Sequence, residues 1–183
     1  MEIELRCIHD ANSNEYKQME GLLTTAFPKD EYRELAEMRT LTEHSFKFHN
    51  NLIYDEGTFI GLITYWDFGN FFYIEHFAIV PEMRNRGYGK KVMEKLKDLL
   101  CHPIVLEVEC PTEEMSRRRI GFYERQGFKL WKSEYMQPPY RQGDGFLKLL
   151  IMAYGNIQEG RDFENVKRTI HKEVYNYEPK PTV

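Results

Sequence analysis

The spacing of hydrophobic and polar residues changes period several times along this 183-residue chain, and each change marks an element. Residues 2–8 set Ile3, Leu5 and Cys7 between polar neighbours, the two-residue period of a half-buried strand. From Asn12 or Ser13, either able to cap a helix, the period lengthens. Met19, Leu22, Leu23 and Phe27 fall at helical spacing, predicting a helix to about Thr25 that Pro28 ends. Residues 31–42 predict a second helix. Residues 46–54, 58–68 and 71–80 are β-rich, and Asp55-Glu56-Gly57 and Gly69-Asn70 supply turns between them. These three segments predict an antiparallel meander. Residues 90–100 carry Val92, Met93, Leu96, Leu99 and Leu100 at helical spacing. Residues 104–109 read as a short strand. Pro111-Thr112 opens a helix reaching Gln126, with Gly127 as its stop. Residues 128–136 and 146–154 form a last hairpin. Beyond it, Phe163, Val166, Ile170 and Val174 mark one face of a further helix, and Pro179 and Pro181 suggest a frayed end.

Composition narrows the classes of function. The length suits one domain with a substantial core. A formal charge of −4 argues against a nucleic-acid-binding body. Three cysteines without metal-ligand spacing point to a reducing compartment and no metal site. The acidic start Met1-Glu2-Ile3-Glu4 lacks an apolar signal core, and no run approaches a membrane span, so a cytoplasmic protein without membrane association is expected.

One loop concentrates the chemistry. Arg84-Asn85-Arg86-Gly87-Tyr88-Gly89 lies between an apolar strand and a predicted helix, where unpartnered N–H groups and the helix dipole favour an anion. Gly87 and Gly89 let the backbone approach a phosphate, and Arg84, Arg86 and Lys90 add positive charge. The Walker spacing is absent, and the dinucleotide fingerprint would need glycine where Val92 stands. What remains, R-x-x-G-x-G, resembles the acetyl-CoA signature Q/R-x-x-G-x-G/A of the GNAT acetyltransferase superfamily. Gly121-Phe122-Tyr123-Glu124-Arg125-Gln126-Gly127-Phe128 resembles that family's second signature, a tyrosine four residues before Gly-Phe.

The resemblance covers roughly residues 2–154 and implies an α/β (α+β) GNAT fold. Its mixed central sheet would have about seven strands flanked by helices. A domain of residues 1–154 and a helical extension packing on it, 155–183, are expected. Acetyl-CoA is the implied cofactor and a small-molecule or peptide amine the implied acceptor, attacking directly; a homodimer is one expected assembly. The resemblance maps the cofactor's pantetheine arm onto Phe77, Ala78, Ile79 and Val80. Its pyrophosphate maps onto the amides of Arg84, Asn85, Arg86, Gly87, Tyr88, Gly89 and Lys90. Many relatives carry an asparagine before the second signature; here Ser116 is the candidate substitute, and Arg118 or Arg119 a candidate phosphate contact.

Tyr123 is the candidate acid for the departing thiolate, against the alternative that it merely packs its helix. Glu75 is the candidate base; on an ideal strand it shares a face with Tyr73, Phe77 and Ile79. Pairing with a structural cation, or binding the substrate's ammonium without deprotonating it, is the open alternative. His76 would point the other way and be structural. Glu107 and Glu109 share a strand face suited to a cationic substrate, or are simply solvated. Cys110 has no evident histidine to activate it, which disfavours a covalent route. The family usually recognises acceptors through the first two helices and the last hairpin loop, which here nominates Phe27, Tyr32 and Tyr140. A non-catalytic acyl-CoA-binding module is the rival reading from a different class.

Overall fold

The computed structural model describes residues 2–179, so Pro181 lies outside the described residues. The chain divides into two compact units, Met1–Ile104 and Val105–Val183.

The first unit opens with β1 (Ile3–Cys7) and α1 (Asn14–Ala26). Ser13 is the cap of α1, its hydroxyl accepting the Tyr16 N–H at 3.1 Å. Tyr16, Met19, Leu22 and Leu23 form the buried stripe of this helix. A 3-10 turn over Lys29–Glu31 precedes α2 (Leu35–His44), so the second helix starts four residues later than its predicted start. Tyr32 is extended (φ −143°, ψ 154°), which breaks the helical run at that point. Then come β2 (Phe48–Asp55), β3 (Thr58–Asp67) and β4 (Phe72–Ile79), the predicted meander, all paired antiparallel, with β1 beside β2. Asp55 pairs with Thr58 across the two turn residues, Glu56 at φ 48° and Gly57 at φ 80°, the two-residue hairpin with positive φ at both positions. Gly61 has a steric reason: a Cβ there would stand 2.3 Å from the Ala78 carbonyl oxygen on the facing strand. α3 (Tyr88–Leu99) buries Val92, Met93 and Leu96, each worth about 1.5–3 kcal/mol when fully buried.

The second unit holds all but the first residue of β5 (Ile104–Glu109), then α4 (Glu114–Arg125), β6 (Lys129–Leu130), β7 (Tyr135–Gln137), β8 (Leu147–Tyr154) and α5 (Glu159–Glu173). The expected mixed α/β class holds, with eight strands among the described residues instead of about seven. The additional strand arises because residues 128–136 do not run as one. The N–H groups of Lys132 and Ser133 both donate to the Glu159 carboxylate at 2.6 Å and leave the ladder, so β6 and β7 pair with separate stretches of β8. α4 starts at Glu114, not at Pro111-Thr112: the Glu113 N–H donates to Ser116 Oγ at 3.1 Å, and Ser116 Oγ–H donates to the Glu113 carbonyl at 2.9 Å. α5 buries Phe163, Val166 and Ile170, and the Phe163 ring meets Trp131 at 6.2 Å. No described helix is long and apolar enough to cross a membrane.

Candidate active site

The glycine loop is shaped by backbone conformations that few residues accept. A 3-10 turn over Pro81–Met83 leaves β4, and the Arg84 guanidinium folds back to donate to the Ile79 carbonyl at 2.9 Å. Asn85 (φ 61°) and Gly87 (φ 82°, ψ 0°) both take the left-handed region. Gly87 is the N-cap of α3, and no side chain caps the helix. The first turn therefore presents backbone N–H groups and the positive dipole end, an anion cradle in physical terms. The Tyr88 hydroxyl donates to Asp55 Oδ2 at 2.9 Å, and Asp55 Oδ1 accepts the Glu2 N–H, tying the start of α3 to the β2–β3 turn. Lys90 lies on the surface, 3.7 Å from Glu94. At the end of β4, Phe77, Ala78 and Ile79 pair with Ile63, Leu62 and Gly61, and the Val80 N–H donates to the Ile60 carbonyl at 2.9 Å.

Glu75 sits where β4 is irregular. Thr64 pairs with His76 and Tyr65 with Ile74, so Glu75 is the extra residue of a β-bulge. The ideal-strand assignment of faces is thereby overturned. Tyr73 opposes Trp66 and His76 opposes Thr64, so these two share a face, while Phe77 passes to the other. The Glu75 carboxylate meets the Arg33 guanidinium at 2.5 Å and accepts the Trp66 indole N–H at 2.7 Å. The Arg33 and Glu75 side chains are 2% and 0% exposed, so this is a fully buried ion pair. Burial pushes the carboxyl up, but the Arg33 charge and the Trp66 hydrogen bond outweigh it and hold Glu75 below the usual carboxylate range. Arg33 also pairs with Glu37 at 3.0 Å and lies over the Trp66 ring.

His76 is buried, and its Nε2 stands 2.9 Å from the Glu31 carbonyl. A carbonyl only accepts, so Nε2 carries the proton and Nδ1 accepts from the Thr64 hydroxyl at 3.2 Å. Burial lowers its pKa and keeps the ring neutral. The Phe27 ring packs edge-on against it at 5.0 Å, and Tyr32 follows the 3-10 turn.

In the second unit, Tyr123 is fixed through the end of α4. Its carbonyl accepts the Phe128 N–H at 3.1 Å while the Gly127 N–H reaches the Glu124 carbonyl at 2.9 Å, a Schellman closure with Gly127 at φ 89°. The tyrosine-to-Gly-Phe spacing is thus the spacing of a helix end. The Tyr123 side chain is buried between Phe122 and Phe128, and burial pushes its hydroxyl up to about 12. Ser116 uses its hydroxyl in the turn that opens α4, and Arg119 pairs with Glu109 at 3.3 Å. Glu107 is half-buried, and its carboxylate accepts from the Tyr135 hydroxyl, from Gln137 Nε2 at 2.6 Å and from the Tyr175 hydroxyl at 2.7 Å, among other contacts. Tyr140 packs on Tyr175 with ring centroids 4.9 Å apart. Cys110 Sγ lies 3.6 Å from the Lys148 carbonyl, and Cys7, Cys101 and Cys110 are all free thiols.

Trp66 and Tyr175 were not singled out in the sequence, whereas Arg33, Tyr135 and Gln137 lie in the two stretches, 27–33 and 135–140, that the family resemblance nominates for the acceptor. Arg33 reaches a partner 42 residues away, which no local pattern encodes. For Tyr175 a signal existed: it directly follows Val174, the last apolar position of the final helical stripe.

An uncapped helix start behind a left-handed glycine loop, at the end of an antiparallel meander, is a geometry physically suited to an anion. Residues 13–128 match the Acetyltransferase (GNAT) family, and the chain belongs to that family. A structure from Bacteroides thetaiotaomicron, provisionally described as a GNAT-family acetyltransferase, is 47% identical and superposes with a TM-score of 0.92, covering 97% of this chain and 100% of that one. YjbC of Bacillus subtilis (strain 168), also provisionally an acetyltransferase, is 32% identical over 110 residues. That match takes in 58% of this chain and 54% of YjbC, so the chain spans about half the length of that relative. Arabidopsis thaliana NAA60 in complex with acetyl-CoA shares the fold at a TM-score of 0.62 and 17% identity, covering 84% of this chain and 98% of that one.

Proposed function

We propose that this protein is an acetyl-CoA-dependent N-acetyltransferase that passes an acetyl group to a primary amine of a small molecule or peptide by direct attack. The observation that carries the reading is the Gly87 N-cap in the left-handed region, which leaves the start of α3 open to an anion in a chain of this family. Among its structural neighbours, NAA60 is complexed with acetyl-CoA and an aminoglycoside 6'-N-acetyltransferase with coenzyme A.

The backbone amides from Arg84 to Lys90 suit pyrophosphate, and Phe77, Ala78, Ile79 and Val80 suit the pantetheine arm. Acetyl-CoA, when bound, supplies the acetyl group as a reactive thioester. Tyr123 offers a hydroxyl proton to the departing sulfur. With the tyrosine near 12 and a thiol near 8.5, complete transfer is uphill by about 5 kcal/mol, so Tyr123 acts by hydrogen bonding to the developing charge. Glu75 is a weak proton acceptor, since Arg33 already matches its charge. We assign it instead the holding of Arg33 and Trp66 on the acceptor side of β4. An aliphatic amine is neutral in only about one molecule in 2,500 at pH 7, an expense near 4.6 kcal/mol. Holding both reactants in attack geometry contributes on the order of 7 kcal/mol, enough to offset it without a dedicated base. Free thiols at Cys7, Cys101 and Cys110 accord with a reducing, cytoplasmic setting.

The test is thiol release from acetyl-CoA across a panel of amines, with the acetylated product identified by mass. Acetylation of at least one amine is expected, and Tyr123→Phe should lower kcat about tenfold or more while the KM for acetyl-CoA holds. An unchanged kcat removes Tyr123 from the chemistry. The matched charge of Glu75 favours one second reading, a non-catalytic acyl-CoA-binding module. Tight cofactor binding without acetylation of any amine would select it.

A further inference from the structure

Two side-chain tethers flank the strained part of the glycine loop. Asn85 and Gly87 both take positive φ, and a residue with a side chain, such as Asn85, keeps that conformation only where its surroundings hold it. Before the pair, Arg84 Nε donates to the Ile79 carbonyl at 2.9 Å. After it, the Tyr88 hydroxyl donates to Asp55 Oδ2, also at 2.9 Å. The two ends of the second tether differ in burial: residues 84–87 are exposed and Tyr88 is half-buried, whereas Asp55 is buried. Asp55 ends β2, opposite Ile3 of β1 on one side and Thr58 of β3 on the other. Its second oxygen, Oδ1, accepts the Glu2 N–H at 2.8 Å. The anchor is thus set in three strands of the same unit as the loop. By charge alone a carboxylate disfavours an anion nearby. Its hydrogen bond to the first residue of α3 gives Asp55 the opposite effect.

The geometry points to Asp55 as a positioning residue for the cofactor's pyrophosphate. Through the Tyr88 hydroxyl it holds the loop in its left-handed form before the ligand arrives, so ordering of the loop costs the complex less affinity. The inference rests on the acetyl-CoA reading and adds a residue outside the R-x-x-G-x-G signature. A hydrogen bond to a charged group contributes about tenfold or more, and the share that reaches CoA affinity is about threefold to tenfold.

The test is calorimetric titration of CoA into the full chain and its variants. Tyr88→Phe removes the hydroxyl and keeps the ring and the backbone amide, and should weaken CoA about threefold to tenfold. Asp55→Ala should do the same. The double Tyr88→Phe/Asp55→Ala should weaken CoA no further than the stronger single, because both act through one bond. In turnover, the advantage of acetyl-CoA over S-acetylpantetheine, which lacks the pyrophosphate, should shrink by the same factor in kcat/KM. Tighter CoA binding by Asp55→Ala would mean that the carboxylate acts by repulsion, and overturns the inference. Unchanged CoA affinity in Tyr88→Phe, additive singles, or an equal loss for the two thioesters marks a tie that serves stability alone, and each overturns it. Should Asp55→Ala fail to fold, Tyr88→Phe decides. If no amine is acetylated, acetyl transfer fails, yet CoA binding weakened by Tyr88→Phe still upholds the positioning role. No CoA binding by the parent overturns both.

Discussion

Arg33→Met removes the guanidinium from a carboxylate with no exposed surface, and the reverse change, Glu75→Gln, removes the carboxylate's charge from a guanidinium that is 2% exposed. Arg33→Met deletes the cation paired with the buried Glu75 carboxylate, which destabilises by about 3–5 kcal/mol, whereas Glu75→Gln leaves the guanidinium its pair with Glu37 at 3.0 Å and destabilises less. Two unit charges about 4 Å apart at an effective dielectric near 20 give about 4 kcal/mol, the same scale. For a chain of this size each kcal/mol lowers Tm by about 2–4 °C, so Arg33→Met should lose about 6–20 °C and Glu75→Gln less. Glu75→Gln keeps an acceptor for the Trp66 indole, so its loss reports the ion pair more cleanly than Glu75→Leu would. The assay is urea unfolding at pH 7, followed by tryptophan fluorescence and circular dichroism, on the two singles and the double Arg33→Met/Glu75→Gln. The double should be less destabilised than the sum of the singles by about 2 kcal/mol or more. The pH dependence follows from the direction of the Glu75 shift. A carboxyl held below its unfolded value of about 4.3 contributes stability that is fully present above that value and lost as pH falls through the lower, folded one. Stability of the parent should therefore fall more steeply below about pH 4.3 than that of Glu75→Gln. Additive singles, or an Arg33→Met loss under about 1 kcal/mol, would refute the buried-pair account and return Glu75 to the role of a free base.

Two further outcomes follow from the geometry. Gly87→Ala meets no atom within 4 Å of the added Cβ, so its penalty is the φ of 82° alone, about 1–2 kcal/mol of strain at the start of α3. Titration of CoA should show weaker binding with β4 and α3 intact by circular dichroism; unchanged affinity would separate the loop conformation from cofactor binding. Ile170→Ala empties a fully buried position on α5 and should lower stability by about 2–5 kcal/mol in urea unfolding. A loss below about 1 kcal/mol would show that α5 adds little to the second unit.

The order of elements was legible because each change of period has a local cause. Ser13 caps α1 as its type suggests, Glu56-Gly57 closes the hairpin, and Gly127 takes a positive φ where α4 stops. The glycine loop was legible for the same reason: its shape depends on a few consecutive dihedrals. What spacing alone did not give was decided by partners distant in the chain. Residues 128–136 read as one strand, yet Glu159 captures two of its backbone donors from 26 and 27 residues away. The second helix starts late because Tyr32 is extended and Arg33, next along, turns inward to a strand 42 residues further on.

Glu75 shows how little separates the two outcomes. On an ideal strand its alternation would set it with Tyr73, Phe77 and Ile79, among apolar neighbours where a lone carboxyl would have its pKa raised and serve as a base. One additional residue in β4 opposite the step from Thr64 to Tyr65 breaks that alternation, and the carboxylate meets Arg33 and Trp66 instead. A bulge leaves no dependable mark in composition, because the neighbouring strand's register defines it. The same carboxyl in the same segment is thus a raised-pKa base in one register and a charge-matched anchor in the other. The choice between these chemistries lies in the pairing of β3 with β4, which the acid limb of the unfolding curve reads out directly.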